Sequence, residues 1–90
     1  MIERRLREVA DELKRVRAEL AVSTEQLAHF DNEADEARIR SMVSETPLSE
    51  QSYQDAARHA ETMRKHHVDL EERLVALEQR QDDLLDQMLS

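Results

Sequence analysis

LREVADELKRVRAELAVSTEQL, residues 6–27, sets an apolar side chain at alternating steps of three and four: Leu6, Val9, Leu13, Val16, Leu20, then Leu27, with Ser23 holding one place in the series. This is a coiled-coil heptad, with Leu6, Leu13, Leu20 and Leu27 on one line and Val9, Val16 and Ser23 on the next. Ile2 extends the pattern upstream, and Phe30, Ala34 and Ala37 extend it downstream. The periodicity predicts one helix over about residues 2–44. The second half of the chain repeats the pattern, with Tyr53, Ala60, His67, Leu74, Gln81 and Met88 on one line and Ala56, Met63, Leu70, Leu77 and Leu84 on the other. It predicts a second helix over about 50–89.

Between them lies Ser44-Glu45-Thr46-Pro47-Leu48-Ser49. Pro47 cannot continue a helix from the preceding turn but suits the first turn of a new one. Ser49 offers an alternative N-cap, with Leu48 and Tyr53 as a hydrophobic staple around it. A connection this short, about 45–49, favours antiparallel neighbours. The expected fold class is all-α: a two-helix antiparallel coiled-coil hairpin spanning 1–90 as a single unit, able to dimerise into a four-helix assembly.

Setting large seam residues against large ones pairs Leu13 with Leu84, Leu20 with Leu77, Leu27 with Leu70 and Phe30 with His67. The flanks then bring Arg17 to Glu78, Glu19 to Arg80, Asp31 to Arg64 and Glu33 to His66. Exposed pairs of this kind contribute only ~0.2–1 kcal/mol each, so they serve mainly to fix the alignment.

Composition agrees with the periodicity. Charged residues are 38% and aromatics 2%, glycine is absent and Pro47 is the single proline, which suits long helices. A net charge of −8 argues against a direct nucleic-acid partner, which needs a cationic face to displace counterions. Without cysteine there is no disulfide, thiolate nucleophile or cysteine-held zinc. His59 and His66 share a helix face near Glu33. They are seven residues apart rather than the four of a zinc helix, so no metal site is expected. No stretch approaches the ~20 apolar residues of a membrane span, and no signal-peptide core opens the chain; the expected setting is the cytoplasm, away from membranes. Arginine outnumbers lysine 11 to 2, compatible with a GC-rich bacterial source.

Two places carry apolar residues outside the seam. Near the turn are Ile39, Met42, Val43 and Leu48, with Glu45, Glu50 and Asp55 around them, the composition of a docking knob with a charged rim. Along the second helix run Val68, Val75, Leu85 and Leu89, a line suited to another subunit or a partner helix. Residues 25–36 hold Glu25, Asp31, Glu33, Asp35 and Glu36 without a lysine or arginine, a solvated face opposed by Arg64, Lys65 and histidines of the second helix. Catalysis needs a water-excluding concavity with convergent groups, which two helices do not form. A non-enzymatic interaction or adaptor module is expected, with no cofactor. Its partner would be a protein with a basic or apolar groove, and the chain itself a homo-oligomer or a subunit of a larger assembly. A holdase-like chaperone using the apolar turn is the alternative.

The stretch Leu48-Ser49-Glu50-Gln51-Ser52-Tyr53-Gln54-Asp55-Ala56-Ala57 resembles the L-S-E-N-A-E-Y-x-A-A tip motif of Gre transcript-cleavage factors, which carry it on a coiled-coil hairpin. The resemblance covers about ten residues, and this chain has one residue fewer before Tyr53. It implies a transcription regulator that inserts an acidic tip into the secondary channel of RNA polymerase. Glu50 would stand in place of the motif's glutamate, where tip acids help to hold a catalytic magnesium.

Overall fold

In the computed structural model, which describes residues 1–90, two α-helices account for nearly the whole chain and there are no strands. Helix α1 spans Ile2–Ser44 and α2 spans Pro47–Leu89. The expected helices are therefore present. The turn is shorter than 45–49, because α2 starts at Pro47 and leaves only Glu45 and Thr46 between the helices.

Local chemistry explains both boundaries. Glu45 has φ 51°, in the left-handed region, and its N–H donates to the carbonyl of Ser41 at 3.0 Å, closing α1 with one αL turn. With no glycine in the chain, a side chain occupies a place glycine usually fills. Glu45→Gly is accordingly expected to stabilise the hairpin by about 0.5–1 kcal/mol, read as a rise in the midpoint of urea unfolding. An unchanged or lower midpoint would show that the Cβ is not strained there.

On the other side, Thr46 is the N-cap and Pro47 the first helical residue. Thr46 Oγ1 accepts from the N–H of Ser49 at 3.1 Å, and Ser49 Oγ accepts from the N–H of Thr46 at 3.3 Å. This is a reciprocal capping box with serine in its third place, and it decides between the two starts that the sequence allows. Ser49 serves the cap of Thr46 rather than forming its own.

The chain packs as two compact units, Val22–His67 and Met1–Ala21 with Val68–Ser90. The first contains the turn and is itself an antiparallel hairpin. Ser41 Oγ donates to Glu50 at 2.7 Å, Arg64 donates to Asp31 at 2.7 Å, and Ser23 Oγ and His67 Nδ1 are hydrogen-bonded at 3.0 Å. Its seam is light: Ala37 and Ala60 are buried, and Leu27, Phe30, Ala34 and Met63 are half-buried. In the second unit Val9, Leu13, Val16, Leu77 and Leu84 form the core, with Leu6, Leu20 and Leu74 packed against it. Glu12 and Arg73 pair beside that core.

The Asp31–Arg64 pair is as the sequence alignment expects, but the seam of Val22–His67 sits one heptad away from it. His67 faces Ser23, not Phe30, and Phe30 meets the ring of His59 instead, edge-on at 6.1 Å. Glu33 lies by His29 rather than His66, and Arg17, Glu19, Glu78 and Arg80 form none of the expected ion pairs. The cause is the turn. With two linking residues, Ser41 must face Glu50, which leaves no slack for the longer tip that the large-on-large alignment required. The new alignment also lets the two polar seam residues satisfy each other.

Candidate functional site

The turn end of Val22–His67 collects most of the residues singled out by sequence. Ile39, Met42 and Val43 stand at steps of three and four on α1, so they share one helix face, and that face is turned to solvent. Val43 is 79% exposed, and Leu48 on the first turn of α2 is 78% exposed. They do not close over the turn.

The acids are arranged differently from a uniform rim. Glu50 accepts from Ser41, and from Gln54 Nε2 at 3.3 Å, so its carboxylate is tied into the base of the turn. Asp55 accepts from Gln51 Nε2 at 3.0 Å and pairs with Arg58. Glu45 is exposed and makes no side-chain bond. Three shallow open grooves separate these groups. Met42, Glu45 and Glu50 line one, together with Ser41, Thr46 and Pro47. Leu48 lies in a second with Arg40, Ser44, Ser49 and Ser52. Asp55 lies in a third with Glu33, Glu36, Arg40 and His59. The apolar knob ringed by three acids is therefore two apolar spots, one edged by carboxylates and one beside a guanidinium. Sequence reasoning passed over Arg40, whose position next to the seam residue Ser41 is the signal that points it toward the turn.

His59 rests against Phe30, and no group of three histidine, aspartate or glutamate side chains is placed to hold a metal ion. No helix is long and apolar enough to cross a membrane. The remaining candidates belong to the other unit. Val68, Val75, Leu85 and Leu89 are all exposed there, with Val75 at 68%.

Comparison with protein-family models, curated proteins and solved structures gives no match. Function must therefore be argued from the geometry. The turn offers exposed aliphatic and thioether surface, one hydrogen-bonded carboxylate, one free carboxylate and one guanidinium on a helical frame. Such a surface can hold a protein groove. It encloses no volume in which a reacting group could be shielded from water.

Proposed function

We propose that this chain is a non-enzymatic interaction module that presents the turn between α1 and α2 to an apolar groove with a basic edge on a partner protein. The observation that carries this reading is the exposure of four large apolar side chains, Ile39, Met42, Val43 and Leu48, within ten residues of a capped and hydrogen-bonded turn. A rigid turn loses little freedom on docking, which favours affinity. Glu45 and Glu50 beside Met42 supply the charge that selects a basic edge. The exposed line on α2 provides a second surface for the same adaptor role.

The test is capture from native lysate by the immobilised chain, in parallel with Val43→Glu/Leu48→Glu and Val75→Glu variants. A partner retained by the parent and by Val75→Glu, lost with the turn variant, and weakened about tenfold or more between low and physiological salt is the expected result. Partners that bind irrespective of the turn variant would refute the reading. Purified RNA polymerase core belongs in the same experiment, because the Leu48–Ala57 resemblance makes it the one named partner. Binding abolished by Glu50→Lys would define the module as a polymerase ligand. Suppressed aggregation of unrelated unfolded clients would point instead to a holdase.

A further inference from the structure

The unit formed by Met1–Ala21 and Val68–Ser90 has two unlike sides. Residues immediately before seam positions lie on one side, where Glu12, preceding Leu13, pairs with Arg73, preceding Leu74. Residues immediately after seam positions therefore lie together on the other side. On α2 that side carries Val68, Val75, Leu85 and Leu89, all exposed. Between them stand Glu71, Glu78 and Asp82. On α1 the same side carries Arg7, Lys14 and Arg17, with Ala10 among them and Glu3 as its one acid.

This side is thus an apolar line with a cationic strip on one helix and an anionic strip on the other. Arg7, Lys14, Arg17, Glu78 and Asp82 form no ion pair within the chain. A surface with opposite charge on its two halves complements itself: a two-fold axis along the helices lays α1 of each copy over α2 of the other. Cations of each copy then meet acids of the other, and the apolar line on α2 is covered by the partner's α1, against Ala10 and the aliphatic stems of Arg7, Lys14 and Arg17. A uniformly basic partner helix would leave the α1 strip opposed by like charge. Only eight apolar residues of the whole chain are buried, so covering this side also supplies core that one narrow seam lacks.

From this we infer that a second copy of the chain covers this side, forming a two-fold four-helix assembly that pairs the Arg7–Lys14–Arg17 strip of one protomer with the Glu78–Asp82 strip of the other. The inference rests on reading the α2 line as an interaction surface and names its occupant, leaving the turn free for a different partner.

Sedimentation equilibrium of the full chain tests it, with circular dichroism confirming that every variant stays helical. The parent is expected to be a dimer whose dissociation constant rises about tenfold or more from low to high salt. Val75→Glu should sediment as a helical monomer. Lys14→Glu/Arg17→Glu and Glu78→Lys/Asp82→Lys should each fail to self-associate, yet form a one-to-one heterodimer on mixing. A parent that stays monomeric while helical, a dimer that survives Val75→Glu, or swapped variants that do not associate when mixed would each overturn the inference. So would a dimer broken by Val43→Glu/Leu48→Glu instead. Capture of a partner through the turn is unaffected by Val75→Glu, so the two readings fail separately.

Discussion

Leu13→Ala is expected to lower the free energy of unfolding by about 3 kcal/mol, enough to leave the Met1–Ala21 and Val68–Ser90 segments largely unpaired at room temperature. Leu13 is 1% exposed and lies in the core with Val9, Val16, Leu77 and Leu84. Removing a buried leucine side chain loses its transfer free energy and leaves a cavity, together ~2–5 kcal/mol. Two helices cannot collapse around such a gap without dragging whole turns with them, which argues against the low end of that range. A chain this small with one seam has only a few kcal/mol in hand, so the loss approaches its whole stability. Ellipticity at 222 nm against urea would measure it. The solvent-facing control Val22→Ala, on a side chain 54% exposed, should change the midpoint little. Equal effects from the two substitutions would show that the core is not where the structure puts it.

The second large effect has the opposite sign. Ser23→Leu/His67→Leu is expected to stabilise the hairpin by roughly 1–3 kcal/mol, a rise in Tm of about 4–8 °C for each kcal/mol. Ser23 is 1% exposed, and its hydroxyl is bonded to the His67 imidazole at 3.0 Å. A buried polar pair made of two satisfied groups adds little net stability, whereas two leucines would bury more apolar surface in the same place. Ser23→Ala alone is expected to destabilise by ~1 kcal/mol, because it removes the hydroxyl while the imidazole stays in the seam. The pair's contribution is alignment. Every other large seam residue would be accepted by a neighbour seven residues away, and one polar pair distinguishes the two settings. Spin labels at Glu25 and Lys65, exposed positions that stand level when Ser23 meets His67, should give one narrow distance distribution in the parent and a second, longer component in the double-leucine variant. A double variant no more stable than the parent, with a single distance, would sink both parts of this argument.

The helices were legible because seven-residue spacing survives even where the seam carries alanine or serine: the stretches around Ala34–Ala37 and Ala56–Ala60 keep phase without large side chains. Their alignment was less so. Matching leucine with leucine is nearly satisfied by two settings one heptad apart, so size has little power to choose between them. The deciding signals were weaker in appearance and stronger in physics. Ser23 and His67 each need a polar partner and can satisfy each other, and the Thr46/Ser49 capping box leaves two linking residues. At the turn, sequence identified the apolar set, but a linear string cannot show that Met42 and Leu48 line different grooves. Heptad phase did place the α2 line correctly outside the seam, because Val68, Val75 and Leu89 recur at its own repeat.

The division of the chain into Val22–His67 and the paired end segments bears on the order in which a ribosome delivers the parts. Val22–His67 is continuous, so it can close as soon as its last residue is released, starting from the Ser41–Glu50 bond nine positions apart. Leu6, Leu13 and Leu20 have no such nearby mate. Their partners Leu74, Leu77 and Leu84 follow them by more than fifty residues, so this apolar stripe waits uncovered until after Val22–His67 has been made. Nascent-chain vulnerability is thus concentrated around Leu6, Leu13 and Leu20, where Arg4, Arg5, Arg7, Lys14, Arg15 and Arg17 stand beside the stripe and keep it in solution until its mate arrives.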